Sequence, residues 1–531
     1  MDYYTLAIRN ISMHGDTDIF PFPIENSLFF DNQQKVKDIL NDIDKNFEMW
    51  LSKYPVDYIK TCIPVGYTGY RWATIIDPIW NAYLLAEALK ISVSIENSRI
   101  PTDRNAVFSY RLKLDLDKGD IFDREIGWRA FYNTAIEQAD KYSYVIRFDI
   151  SDFYNRIYHH RLENALQRTS ADREAIRRIL KILQDISNNV SYGLPIGGNA
   201  SRILAEALLN SIDQLMLNKK IPFCRFVDDF IIFANSKEEA YRKLTWCADF
   251  LLKNEGLALQ KNKTLIQSKS EFISHAKATL EGEEGETNKS KSSFLKLHIH
   301  YDPYSATAEE DYNELTKKLK QFDIVSIIKS EVKKSRIHQA LGKHLMNAVS
   351  FLEEPQKSLA FNVISSNLES LYPIFPSVMR LAYKDLLNCD EKTISQFINT
   401  ICGLIDSGSY LLQTDNNAAY SARVLSLINS ENTFQAIDKL YSESNSPLVR
   451  SNCIYAMTNL NNHWWLSDLR TSFSTFTKWE RRSYVAASFL IGDEGYHWRK
   501  QTSEQFYELE ILLKDWIGSK HPVQNSWRLP L

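Results

Sequence analysis

The sequence predicts an α+β N-terminal half followed by an all-α C-terminal half, and three observations carry that expectation. Residues 141 to about 275 alternate apolar strand runs with amphipathic helices. Two β-rich runs, FCRFV (223–227) and FIIFA (230–234), are separated only by Asp228-Asp229, the pattern of a tight hairpin. After about residue 305 the strand signals vanish, and helix follows helix.

Taken in order, residues 1–140 mix short apolar runs with turn signals and are rich in Tyr, Trp and Asp. The run YVIRFDI (144–150) reads as a short strand ending in an acid. GLPIGGNASRILAEALLNSID (193–213) reads as a Gly-Pro-Gly-Gly turn entering a long amphipathic helix. The polar stretch EGEEGETNKSKSS (281–293) is expected to be a mobile loop or boundary. Beyond it, RIHQALGKHLMNAVSFL, SQFINTICGLI, AAYSARVLSLI, PLVRSNCIYAMTNL and ERRSYVAASFLIG are helical. Arg450-Ser451 and Arg482-Ser483 lie 32 residues apart near the starts of similar helices, which points to a degenerate helical repeat; an irregular bundle is the alternative. The expected divisions are 1–140, 141–300 and 301–531.

A chain of 531 residues implies more than one folding unit. Its 44% hydrophobic and 24% charged residues are those of a globular protein. The formal net charge of -3 excludes a bulk-basic nucleic-acid binder, though not a cleft locally lined with Lys and Arg. Six scattered cysteines without a Cys-x-x-Cys pair argue against structural zinc and a disulfide framework. With no basic-then-apolar leader and no 18-residue apolar run, the expectation is a reduced cytoplasmic protein with no membrane partner.

The chemistry lies in three carboxylates. Asp149 ends the YVIRFDI strand, and Asp228 and Asp229 occupy the hairpin. An Asp-Asp pair at a hairpin tip is ordinarily turn chemistry. A third acid at the end of a neighbouring strand makes it a place where two Mg2+ ions could be held for phosphoryl transfer. Glycines 197 and 198 would let a backbone approach a base pair or sugar closely.

The order FDISDFY, GLPIGG, FVDD, NKT resembles motifs A, B, C and D of the reverse-transcriptase palm, over residues 144–266. The resemblance implies fingers and palm followed by a helical-repeat domain. It implies Asp149, Asp228 and Asp229 as catalytic metal ligands for Mg2+, with Asp228 the more direct of the pair. Tyr154 would be the aromatic gate that favours dNTPs, and Lys263 the motif D lysine near the departing pyrophosphate. Pro195, Gly197 and Gly198 would form the motif B substrate loop. This chain departs from the common Pro-Gln-Gly by carrying Ile196, and from Ser-Pro by carrying Ser201-Arg202, which puts ordinary templated synthesis in question.

Arg71 and Arg111 lie in strings resembling the fingers, where either would grip the triphosphate through a forked contact; the alternative for each is a structural ion pair. HGDTDIFPFPIE (14–25), GYRWATIIDPIWNAYLLAEAL (69–89), FSYRL (108–112) and GDEGYHWR (492–499) resemble bacterial abortive-infection and related defence reverse transcriptases with HEAT-like helical domains. Such enzymes act against phage in a bacterial cytoplasm. Several prime DNA synthesis from a hydroxyl of their own chain, some without a template, and relatives often form homo-oligomers. The DNA product would then stay attached through one of the 27 tyrosines, on N-terminal loops such as those around Tyr54, Tyr58 and Tyr67 or on loops of the helical half that fold back over the palm. The alternatives are an RNA-templated enzyme with a companion non-coding RNA, and a helical scaffold with a retired polymerase domain. His159-His160 with Glu163 reads as polar surface rather than a metal site, and GDEGYHWR as packing rather than a nucleic-acid contact.

Overall fold

A computed structural model of the chain describes residues 1–281, 294, 315–520 and 528–531. Of the segment expected to be a mobile loop, residues 282–293 lie outside the described residues. Two compact units emerge: residues 1–60 with 72–280, and residues 61–71 with 281–531.

The first unit opens with four helices, α1 (Tyr3–His14), α2 (Pro23–Asp31), α3 (Gln33–Lys45) and α4 (Phe47–Lys53). Strands β1 (Tyr58–Pro64) and β2 (Tyr70–Ile76) cross the boundaries between the units. Next come α5 (Pro78–Ser98), β3 (Leu112–Asp115), β4 (Asp120–Phe122), α6 (Trp128–Ala139) and β5 (Tyr144–Asp149). The rest is α7 (Phe153–Arg156), α8 (His159–Thr169), α9 (Arg173–Ile186), α10 (Asn199–Asn218), β6 (Phe223–Phe226), β7 (Asp229–Ala234), α11 (Lys237–Phe250), β8 (Leu265–Ser268) and α12 (Lys269–Glu281).

Helix α5 organises this unit. Asp77 caps it by accepting from the Ile79 N–H at 3.2 Å, and Pro78 supplies a preset φ at its first position. Trp80, Tyr83, Leu84, Leu85, Leu89 and Ile91 are all buried, and a helix apolar all round can only be central. It packs against α1, α9 and α10. Because α5 and α10 lie on either side of residue 140, the expected boundary there does not separate two units.

Beside this helical core lies an antiparallel sheet in the order β6-β7-β5-β8. Both faces are covered, which explains why β5 and β7 read as near-continuous apolar runs. On one face, Phe148 stacks on Phe230 with ring centroids 4.9 Å apart. On the other, Val145, Ile231 and Phe233 close a core with Phe131 and Ala135 of α6 and Phe272 and Ala276 of α12.

The described C-terminal residues are helical. They form α13 (Ile324–Val332), α14 (Gln339–Val349), α15 (Glu354–Ser365), α16 (Phe375–Asp385), α17 (Glu391–Asp406) and α18 (Asp415–Leu425). Then follow α19 (Glu431–Glu443), α20 (Pro447–Asn459), α21 (His463–Asp468), α22 (Lys478–Ala487), α23 (Gly492–Thr502) and α24 (Glu508–Lys520). Pro447 takes the first helical turn as expected. Helices α14, α16, α18, α20, α22 and α24 pack successively on one another, as do α13, α15, α17 and α19.

Candidate active site at the sheet end

Asp149 and Asp229 face each other in register at the ends of β5 and β7. The hairpin turn is one residue earlier than the sequence pattern implies: Phe226 pairs with Asp229, leaving Val227 and Asp228 as its two loop residues. Val227 has φ 55°, a left-handed conformation that costs a β-branched residue about 1–3 kcal/mol. A positive φ at the first loop residue alone is the pattern of a type II′ turn, where glycine is usual. The Ile150 N–H donates to the Asp228 carbonyl at 3.2 Å, tying the turn to the end of β5.

The strained turn is held from below. Arg225, fully buried, donates from Nη1 to the Val227 carbonyl at 3.1 Å. Its Nε and Nη2 grip Asp213 at 2.7 and 2.6 Å, and Nη2 reaches Glu206 at 2.8 Å. Glu206 is shared with Arg99 at 2.7 Å and accepts from the Ser109 hydroxyl at 2.5 Å. Burial opposes ionisation of Glu206, but Arg225 and Arg99 outweigh it and hold its carboxyl below the ordinary range. Paired and hydrogen-bonded charges of this kind survive burial because each satisfies the other. None of these five residues stood out in the sequence. The available signal was Glu206 and Asp213 seven apart, on one face of α10.

The three carboxylates crowd one another. Burial, then the charges of Asp149 and Asp229, push Asp228 up to about 7. Burial and Asp149 push Asp229 up to about 6, against the pull of Lys263 and Arg147. The Lys263 ammonium donates to Asp149 Oδ2. Burial works against its charge, but Asp149, Asp229 and Asp228 raise its pKa. Among the described residues no group of three or more His, Cys, Asp or Glu side chains is already gathered closely enough to hold a metal ion. Asp149, Asp228 and Asp229 nonetheless bring hard oxygen donors of like charge to one end of the sheet, and that donor chemistry suits Mg2+, which takes few protein ligands.

Tyr154, on α7, is half-buried; desolvation, then Tyr110, Glu206 and Asp228, keep its hydroxyl protonated. The Arg202 guanidinium lies 5.3 Å from the Tyr110 ring centre and pairs with Asp18 at 3.0 Å. Gly197 has φ 103°, and a Cβ there would come within 2.5–2.8 Å of Asp18, Thr17 and Ile19. The close approach at Gly197 is therefore made by the chain's own N-terminal segment, where a base pair or sugar was expected. Gly198 precedes α10 with only Asn81 Oδ1 near, at 3.8 Å, and Pro195 is buried. Asp16 is buried too, which pushes its carboxyl up to about 6 while it accepts from Phe22 N–H and Asn26.

The other singled-out residues divide between those that take structural roles and those left exposed. Arg111 is buried, pairs with Glu96 at 2.7 Å and donates to the Ile100 carbonyl at 3.1 Å; it is a structural ion pair with no free fork for a triphosphate. Arg71 is exposed on β2, within the second unit. Tyr54 is buried with its hydroxyl on Asp77 at 3.0 Å. In the second unit, the Tyr67 hydroxyl donates to the Ser370 carbonyl at 2.6 Å and accepts from the Ile337 N–H. His159 is not surface but buried, with Nε2 2.8 Å from the Gly193 carbonyl. His160 and Glu163 form an exposed pair 3.7 Å apart. Trp498 packs against Phe473 and Tyr484 at 4.8 and 4.9 Å, the packing role expected of GDEGYHWR.

Residues 94–300 match the family model described as reverse transcriptase (RNA-dependent DNA polymerase), so the chain contains a reverse-transcriptase domain. No curated protein matches the sequence. Solved structures it resembles include telomerase from Candida albicans with a fragment of telomeric RNA, at 11% identity and TM-score 0.29, over 84% of this chain and 70% of that one. Apo telomerase from Candida tropicalis is similar at 12% identity and TM-score 0.30, over 78% and 72%.

Proposed function

We propose that the reverse-transcriptase domain is an active DNA polymerase that adds dNTPs at Asp149, Asp228 and Asp229. The observation that carries this reading is the meeting of Asp149, at the end of β5, with Asp228 and Asp229 of the β6–β7 hairpin at one end of the sheet. Lys263 pairs with Asp149, but among the described residues no cation pairs with Asp228 or Asp229, whereas Arg225 pairs with both Glu206 and Asp213.

Asp149 and Asp228, with Asp229, would hold Mg2+, which when bound supplies positive charge to the triphosphate and acidifies the attacking hydroxyl. Lys263 holds a proton at Nζ beside Asp149, where it can neutralise the leaving pyrophosphate. Tyr154, whose hydroxyl feels the charge of Asp228, would be the ring that closes the space a 2′-hydroxyl needs, the role implied by the motif A resemblance. Arg225 keeps the Val227 turn in the conformation that aims Asp228.

The finer reading is a defence polymerase of bacterial cytoplasm that primes on its own tyrosine, acts as a homo-oligomer and carries a HEAT-like helical repeat. Sequence resemblance supports the defence role and priming. Successive packing of α18, α20, α22 and α24 supports the repeat, with Arg450–Glu480 at 2.5 Å and Arg481–Glu510 at 2.8 Å linking neighbours in the same way. Of the N-terminal tyrosines named for priming, Tyr54 and Tyr67 have engaged hydroxyls, which favours Tyr58 or a loop of the helical half. The experiment is to extend the protein with labelled dNTPs and Mg2+, with and without RNA, then digest with protease. Label that shifts to a peptide supports protein priming. Label that requires RNA and ignores protease replaces it with templated synthesis on a nucleic-acid primer.

A further inference from the structure

Side chains alternate along a strand, so Val145, Arg147 and Asp149 share one face of β5. Arg147 lies opposite Ile231, and Asp149 opposite Asp229. Helices α6 and α12 seal the Val145 end of that face. Toward the carboxylates the cover opens into a cleft of about 210 Å³ whose walls include Tyr132, Arg147, Asp229, Asn262, Lys263 and His275.

Arg147 is half-buried, yet among the described residues no carboxylate pairs with it. Its Nη1 donates to Nδ1 of His275 at 2.9 Å and its Nη2 to the Tyr132 hydroxyl at 3.1 Å. Arginine has no acceptor, so His275 Nδ1 is unprotonated and Nε2 carries the hydrogen. Two neutral groups therefore orient the guanidinium without cancelling its charge. Each still has a hydrogen to donate, the Tyr132 hydroxyl and His275 Nε2–H. A fixed guanidinium fork flanked by neutral donors is the donor set that binds phosphate oxygens.

The cleft also has a definite side. Tyr154, Tyr110 and Arg202 interact electrostatically with one another near Asp228, whereas Arg147 and Lys263 act on Asp229. On the polymerase reading, the nucleotide sugar meets Tyr154, and the Arg147 cleft faces the other member of the carboxylate pair.

We propose that Arg147, oriented by Tyr132 and His275, forms a phosphate-binding subsite beside Asp229. The phosphate belongs either to the backbone of the strand being extended or to the pyrophosphate released. The role of either ligand rests on the polymerase reading; the binding itself does not.

The test titrates the full chain with sodium pyrophosphate and, separately, with a labelled oligodeoxythymidylate, comparing wild type, Arg147→Gln, Arg147→Lys and His275→Ala. At least a tenfold loss for one probe in Arg147→Gln is expected, partly recovered in Arg147→Lys. Loss for the oligonucleotide, with the slope of log affinity against log salt flattened by about 0.7, assigns the strand backbone. Loss for pyrophosphate assigns the leaving group. If Arg147→Gln fails to fold, Arg147→Lys and His275→Ala carry the comparison, with a severalfold loss expected. Folded variants that bind both probes within twofold of wild type, or a wild type that binds neither, overturn the proposal. Absence of dNTP incorporation by wild type would instead remove the polymerase reading and leave the binding comparison to decide the subsite.

Discussion

Asp228→Asn should stabilise the metal-free protein while ending its chemistry. The Asp228 carboxyl stands at about 7 against an ordinary 3.8, because burial and the charges of Asp149 and Asp229 disfavour its ionised form. A carboxyl raised by folding keeps its proton in the native state while the unfolded chain loses it. Native stability therefore falls as pH rises from about 4, and the loss is complete above about 7. At 1.36 kcal/mol per pH unit this amounts to roughly 4 kcal/mol. Asp229, near 6, titrates with its neighbours, so the cost belongs to the cluster. A neutral amide of the same shape escapes most of it, and the variant should exceed wild type by on the order of 2–4 kcal/mol at pH 8. Thermal midpoints in EDTA at pH 5 and pH 8 measure this. The advantage should be larger at pH 8, and added Mg2+ should close the gap by stabilising wild type alone. A variant no more stable than wild type at pH 8, or an advantage unchanged between the two pH values, would refute the claim that the three carboxylates repel one another.

Tyr154→Val should raise the ratio of rNTP to dNTP incorporation at least tenfold; an unchanged ratio makes Tyr154 simply core. Arg225→Met leaves Glu206 and Asp213 buried without their main partner and should cost about 3–5 kcal/mol by urea denaturation; a loss below about 1 kcal/mol would show that the network does not hold the turn. Gly197→Ala forces a Cβ against Thr17, Asp18 and Ile19 at a φ of 103°. Limited proteolysis should then cut near residues 16–19 several times faster than in wild type, and an unaltered cleavage rate would mean the segment yields without detaching.

The palm was legible because its chemistry is written in strand ends. Asp149, Asp228, Asp229 and Lys263 could be named from motif order alone, and they meet at one end of the sheet. The hairpin was misplaced by one residue because Val227 is β-branched and reads as strand. The pull of Arg225 on its carbonyl, with the Ile150 N–H on that of Asp228, holds a valine in a glycine-like conformation. The network beneath was not legible, since Glu206 and Asp213 on an amphipathic helix look like a solvated face until Arg225 is brought against them. Gly197 was recognised as a place of close approach, but a glycine does not name its neighbour. Arg111, Tyr54 and Tyr67 show the same limit: residue type marks what a side chain can do, and burial decides what it does.

The central claim is nucleotidyl transfer at the three carboxylates. The direct measurement is incorporation of a labelled dNTP by purified full-length protein with Mg2+, across a panel of RNA, DNA and no template, beside Asp149→Asn and Asp228→Asn. The account predicts label in wild type under at least one condition and none in either folded variant. Equal incorporation by wild type and variants, or none by wild type under any condition, would contradict it.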